Sequence, residues 1–217
     1  MIARMAGLYP PLKPLPVPRP PEPEPRPAAA NVAAVESERL RYRDFTEGDI
    51  PLLARWMADP QMMKNMRTPA ALDDTAARVF VAWQMSRAAA GRPHFRIIER
   101  REDGIVVGHC GLKRLDDWPR EQSSLEADAE LEVGYMLDPK WWGHGYATEA
   151  ALSALADGFN NFGRDRIFAR ANPENAASVA VMKRCGMALD REDLEDGRRF
   201  VRYQITRPQW ESRLTSR

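Results

Sequence analysis

Two glycines, Gly143 and Gly145, stand where an alternating apolar run gives way to the alanine-rich stretch that opens at Tyr146. Glycines so placed at a helix start let the backbone approach a ligand without obstruction by Cβ. The free N–H groups of the first helical turn, with the positive end of the helix dipole, then make an anion site suited to phosphate. The spacing is not the dinucleotide fingerprint, because the third glycine and the downstream ribose-binding acid are missing. Nor is it a P-loop, since no Gly-Lys-Ser/Thr follows. Taken alone, such a pair is also an ordinary structural turn. A second segment, Asn172-Pro173-Glu174-Asn175-Ala176-Ala177-Ser178, lies further along and precedes another apolar stretch. Asn175 is a natural N-cap there, with Ser178 in the first turn of the helix that follows.

Other chemistry-bearing residue types are sparse. The histidines His94, His109 and His144 lie in separate segments without metal-ligand spacing. Cys110 and Cys185 make neither a disulfide framework nor a four-ligand zinc site. A formal charge of +1 argues against a dedicated nucleic-acid binder, which usually carries a basic surplus. No apolar run approaches the roughly 20 residues needed to span a bilayer. The N-terminus shows no apolar h-region or cleavage site of a secretory signal. The expectation is a cytoplasmic protein without a metal, a nucleic-acid partner or a membrane anchor, as monomer or homodimer.

Ten of the 18 prolines fall in the first thirty residues of the 217. Residues 10–27 should favour extended polyproline II and carry too few apolar anchors to offset chain ordering. Residues 1–35 therefore read as a disordered tail and 36–217 as one folded domain. Within the latter, 39–45 alternates charged and apolar residues as a half-buried strand does. Thr46, with Asp49 three positions on, starts a helix bearing Leu52, Leu53, Trp56 and Met57. A second helix is expected over 73–90, with Ala76, Val79, Phe80, Trp83 and Met85 on its buried side. Strands at 94–100 and 105–115 should join through a tight turn at Asp103-Gly104. A charged loop spans 116–126 and a strand 129–137. Then come a helix over 146–161, a strand at 166–171, a helix over 176–185 and a closing strand pair around Asp196-Gly197. The order is that of a mixed α/β fold with one central sheet.

Together and in this order, the two glycine- and asparagine-bearing segments resemble the GNAT acetyltransferase superfamily. Glu132-Val133-Gly134-Tyr135, the run from Trp142 to Ala150 and the Asn-x-x-Asn-x-x-Ser segment are similar to the RimJ/RimL-type subgroup. The resemblance spans residues 38–210. It implies a GNAT fold, with a single mostly antiparallel sheet splayed at its middle strands and flanked by helices. It also implies an acyltransferase that moves an acetyl group from acetyl-CoA to a primary amine. In the family the pyrophosphate of the co-substrate rests on backbone amides of the glycine turn, here Gly143, His144, Gly145, Tyr146 and Ala147, with Thr148 in the same turn. The pantetheine arm pairs with the exposed backbone of the preceding strand, here at Met136 and Leu137. Asn175 matches a residue that contacts the arm near the thioester. Many members carry Gln or Arg at the position of Trp142 and Arg or Lys at that of His144. A neutral His144 compensates less phosphate charge.

The resemblance leaves the acceptor open between a protein N-terminal α-amine, the first expectation, a small amine, and a silent CoA-binding module. An amine attacks a thioester only when unprotonated, and a positioned carboxylate can take the proton. Glu132 is the candidate base and Glu130, on the same strand face, the fallback. Ser178 is the candidate donor to the leaving thiolate, with Tyr135 as the alternative. Backbone N–H groups of the splayed strand are candidates for an oxyanion site. Cys185, without a histidine partner nearby, reads as a buried structural thiol. Acceptor choice is expected to reside in the loops 59–72 and 116–128.

Overall fold

The computed structural model describes residues 37–65, 74–114, 130–195 and 197–215. The proline-rich segment 1–35, the charged loop 116–126 and the part of the first acceptor loop at 66–72 lie outside the described residues. In chain order come β1 (Leu40–Arg43), a 3-10 turn (Glu47–Asp49), α1 (Ile50–Ala58), α2 (Pro60–Met63) and α3 (Asp74–Ala89). They are followed by β2 (Phe95–Arg100), β3 (Val106–Arg114), β4 (Leu131–Leu137), a 3-10 turn (Pro139–Trp141) and α4 (Tyr146–Asn160). The chain continues through β5 (Arg166–Ala171), α5 (Ala176–Arg184), β6 (Ala188–Glu195), β7 (Arg198–Thr206) and α6 (Arg207–Thr215).

One seven-stranded sheet runs in the order β1-β2-β3-β4-β5-β7-β6. Every neighbouring pair is antiparallel except β4 and β5, which run parallel. That exception sits mid-sheet, and it positions the site. A mixed α/β fold with one central, mostly antiparallel sheet flanked by helices is the architecture the sequence implied.

Alternation along the strands divides the core into two layers. Val107, Leu112, Leu131, Val133, Ile167, Tyr203 and Ile205 pack under α4, α5 and α6, together with Ala150, Leu155, Phe159, Met182 and Trp210. The opposite face carries Phe95, Ile97 and Met136 against Leu53, Trp56, Met57, Ala77 and Val81 of α1 and α3. The helix start at Thr46 is a capping box, with the Asp49 carboxylate accepting from the Thr46 amide at 2.8 Å. The Arg43 guanidinium grips the same carboxylate at 2.7 Å, tying β1 to the turn.

Three local expectations give way to the tertiary structure. On α3 the buried residues are Ala77, Val81, Gln84 and Arg87, whereas Phe80, Trp83 and Met85 are only half-buried. Apolar residues surround this helix on all sides, so periodicity selects no face. Two polar contacts tie the buried face down: Gln84 Oε1 accepts from the Phe95 amide at 2.7 Å, and Arg87 Nε donates to the Pro93 carbonyl at 2.6 Å. The β2–β3 connection is wider than a two-residue turn, because the Gly104 amide bonds back to the Arg100 carbonyl and Gly104 adopts φ 71°. Helices α2 and α6, absent from the sequence expectation, complete the domain. Trp210 of α6 stacks on Phe159 at 5.6 Å, a contact with no local sequence signature.

Candidate active site

The parallel neighbours β4 and β5 share only two register pairs, Leu131 with Ile167 and Glu132 with Phe168. Both strands run on, β4 to Leu137 and β5 to Ala171, but beyond those pairs they part. The result is a wedge-shaped gap in the middle of the sheet, with Glu132 at its fork. The β3–β4 ladder decides which backbone groups face this gap. The Asp138 amide donates to the Val107 carbonyl at 2.9 Å, and antiparallel alternation then turns the backbone of Met136, Gly134 and Glu132 toward β3. Val133, Tyr135 and Leu137 turn theirs toward the gap. Leu137 therefore faces the gap and Met136 does not. It spends its backbone on β3 and its side chain on the α1–α3 core, and Tyr135 takes its place beside the gap. The Leu137 carbonyl already accepts from the Trp142 indole at 2.8 Å, so Leu137 offers its N–H.

At the wide end of the gap lies the glycine turn. Gly143 (φ 79°) and Gly145 (φ 82°) both adopt the left-handed conformation, in which a side chain is strained. Gly145 is the N-cap of α4. Amides of Gly143, His144, Gly145, Tyr146 and Ala147 have no hydrogen-bond partner among the described residues, whereas those of Thr148 and Glu149 return to the Gly145 carbonyl at 3.1 Å. Five unpartnered donors at the positive end of a 15-residue helix fit a diphosphate. Thr148 lies in the same turn, its own amide spent on the Gly145 carbonyl.

The His144 imidazole lies flat on Tyr146, 5.8 Å between ring centres and 9° between planes, and its Nδ1 bonds the Trp142 carbonyl. The cation at this turn comes instead from Arg39, just before β1. Its guanidinium donates to the His144 carbonyl at 3.0 Å, pairs with Glu149 at 2.8 Å and stacks 4.7 Å above the Tyr146 ring. Sequence reading missed Arg39. It stands 105 positions from His144, and nothing local signals the contact.

On the face of α1–α3, the Glu132 carboxylate is buried and its Oε2 meets Arg170 at 3.1 Å and Lys113 at 3.5 Å. Its Oε1 has no hydrogen-bond partner among the described residues. Glu130 is farther from the fork and is held by Arg202 at 3.0 Å, with Arg166 at 3.6 Å. Across the sheet, the Tyr135 hydroxyl donates to Ser178 Oγ at 3.3 Å, and burial pushes the Tyr135 phenol well above its ordinary range. Asn175 caps α5 as expected, its Oδ1 accepting from the Ser178 amide at 3.1 Å. Cys185 is buried with its Sγ 3.9 Å from the Thr148 carbonyl, and desolvation pushes its thiol up to about 12. A thiol so placed is inert at neutral pH.

Residues 39–188 match the family model of the acetyltransferase (GNAT) domain. The chain belongs to the GNAT acetyltransferase family. It is accordingly an acyltransferase, and the GNAT fold binds acetyl-CoA. Among curated relatives, this GNAT chain is 29% identical over 146 residues to the uncharacterized N-acetyltransferase p20 of Bacillus licheniformis, covering 67% of this chain and 77% of that one. Two solved structures share the fold at lower identity. The ribosomal L7/L12 α-N-protein acetyltransferase RimL, in complex with coenzyme A, superposes with a TM-score of 0.63 at 16% identity, covering 78% of this chain and 95% of its own. The spermidine N-acetyltransferase of Vibrio cholerae, with CoA and spermine, gives 0.63 at 17%, covering 80% and 98%. Among the described residues of this GNAT domain, no helix is long and apolar enough to cross a membrane.

Proposed function

We propose that this enzyme acetylates the α-amine of a protein N-terminus, as a member of the RimJ/RimL-type subgroup, by direct attack on acetyl-CoA in a ternary complex. The observation that carries the reading is the junction of unpartnered amides at Gly143–Ala147 with the backbone left open beside β4. The diphosphate rests on those amides. The pantetheine arm runs down the gap against Tyr135 and the Leu137 N–H, as an added strand would. The Asn175 side-chain amide, whose oxygen is spent on the cap, offers its N–H₂ to the arm.

The thioester then lies near the fork, with Glu132 on one side and the Tyr135–Ser178 pair on the other. Glu132 Oε1 takes a proton from the amine, directly or through a water, as nitrogen attacks the carbonyl carbon. Arg170 and Lys113 fix the carboxylate through its other oxygen. As the carbon–sulfur bond breaks, the Ser178 hydroxyl donates a hydrogen bond to the leaving thiolate, its own oxygen held in place by the Tyr135 hydroxyl, and the thiolate is protonated from solvent. An α-amine, with an ordinary pKa of about 7.7–8.0, needs little help to deprotonate, whereas a lysine at about 10.4 needs far more. That difference favours the N-terminal acceptor. We take the 1–35 segment to lie outside the acetyltransferase domain and the enzyme to be cytoplasmic.

The second reading, acetylation of a small amine, draws on the equal structural likeness to the spermidine enzyme. Turnover of acetyl-CoA against N-terminal peptides and small amines decides between them. Faster turnover of spermidine or another small amine than of every peptide selects the second reading. Tight CoA binding without transfer to any amine leaves a silent CoA-binding module.

A further inference from the structure

Strand β6 closes one end of the sheet, paired with β7 on one side and with no described strand on the other. Residues 188–192 are all exposed, and Leu189 and Leu194 show 53% and 72% of their surface. An edge strand with open N–H and C=O groups is a template for a further strand. Its side chains decide which strand that is, and the register with β7 sorts them by face. Leu189 and Glu192 stand opposite Tyr203 and Val201, which pack under the helices α4–α6, and Leu194 stands opposite Arg199 on the same face. Arg191 and Asp193 stand opposite Arg202 and Phe200, on the other face. The register shifts between Leu189 and Arg191, so Asp190 is an extra residue, held by Arg202 at 3.0 Å. This bulge brings Leu189 and Leu194 to one face, where plain alternation would part them. The ion pairs agree with the sorting. Glu192 meets Arg199 at 2.7 Å on the first face, and Arg191 meets Asp193 at 2.7 Å on the second.

So arranged, β6 is complementary to itself when reversed about Glu192. Antiparallel pairing sets Leu189 beside Leu194 of a second copy on one face. On the other face it sets Arg191 beside Asp193 of the second copy, and two-fold symmetry makes each contact twice. The two Glu192 side chains meet at the axis, each with its own Arg199 beside it. We infer that two copies of this chain associate through β6, antiparallel about a two-fold axis at Glu192, so that one sheet runs through both. The charges that match a second copy oppose strands of other sequence, which makes the edge selective. The β4–β5 gap is separated from β6 by β5 and β7, so both sites stay open in the dimer. The inference therefore stands apart from the acceptor reading. Pairing over so short a strand buries less than a standard interface, and the dimer is accordingly a weak one, with a Kd on the order of micromolar.

The test is sedimentation equilibrium of the full chain up to about 100 μM, a concentration well above that Kd. The expected result is a reversible dimer. R191D sets aspartate against Asp193 of the second copy and should raise the Kd about tenfold. The double variant R191D/D193R exchanges the two signs within each chain and should bring the dimer back, which a merely structural role for either residue would not do. A second measurement fixes the register. Opposed Cα atoms in an antiparallel pair lie about 4.5–5.5 Å apart, within the reach of a disulfide. E192C, at the axis, should therefore cross-link to its copy under mild oxidation, and L189C, opposite Leu194, should not. The native Cys110 and Cys185 are buried and give no background. Thermal melting of each variant confirms that it is folded. A chain that stays monomeric at the top concentration overturns the inference. So does a dimer that withstands R191D, or one in which E192C does not cross-link.

Discussion

Arg39 and Glu149, 110 positions apart, are joined by the Arg39 backbone amide at 2.7 Å and its Nε at 2.8 Å. Glu149 lies in the first turn of α4, where a bare carboxylate would oppose an anion held by the same helix end. Arg39 cancels that charge and, through the His144 carbonyl, pins the glycine turn.

Replacing Arg39 by Ala should weaken CoA binding about three- to tenfold, a modest figure because the side chain is 47% exposed. R39K should recover part of the loss. Adding E149Q to R39A should recover more, because it removes the uncompensated charge. Calorimetric titration with CoA at two salt concentrations reads both effects, and an R39A titration indistinguishable from wild type would dismiss the clamp.

At Gly145 any side chain must accept φ 82°, and its Cβ would stand 3.3 Å from the Arg39 guanidinium. G145A should cost about 1 kcal/mol of strain, a Tm drop of about 2–4 °C. G145E, which also brings negative charge to the anion site, should lower CoA affinity at least about tenfold. Undiminished CoA binding by G145E would remove the diphosphate from this turn.

Glu132→Gln removes the proposed base while keeping the shape. The expected loss in kcat is about a hundredfold near pH 7, shrinking as pH rises past the roughly 7.7–8.0 at which an α-amine deprotonates unaided. A merely structural role, holding Arg170 and Lys113, predicts a loss that does not change with pH. The pH profile of kcat for the two proteins separates these outcomes.

His109 is buried among Phe45, Trp56, Phe80 and Phe95, and neither ring nitrogen has a hydrogen-bond partner among the described residues. Desolvation lowers its pKa from 6.5 to about 4. The unfolded chain therefore binds the proton first, and stability present above pH 6.5 is lost as pH falls toward 4. The loss across that window is about 3 kcal/mol at most. H109L should be at least as stable at pH 7 and should lose this part of the acid sensitivity. Chemical denaturation at pH 7 and 4.5 checks it, and identical slopes in the two proteins would refute it.

Much of the site was legible in the sequence because it is local. Glycines before an alanine-rich helix, an asparagine cap ahead of Ser178 and alternation through Leu131–Leu137 are written within a few residues of one another. Each sets backbone conformation directly. The capping box at Thr46 and Asp49 is of the same kind.

What only the tertiary structure decided are relations between distant segments. Which backbone groups of β4 face the gap follows from its ladder with β3, so Tyr135 rather than Met136 flanks it. Which face α3 buries depends on the hydrogen bonds Gln84 and Arg87 find on β2 and its approach. The partners of Glu132 and the Arg39–Glu149 clamp each join segments far apart in the chain. The sequence by itself determined the local conformations and, through them, the family. The contacts that give those conformations a chemistry arise from register and packing through space, which no spacing along the chain records.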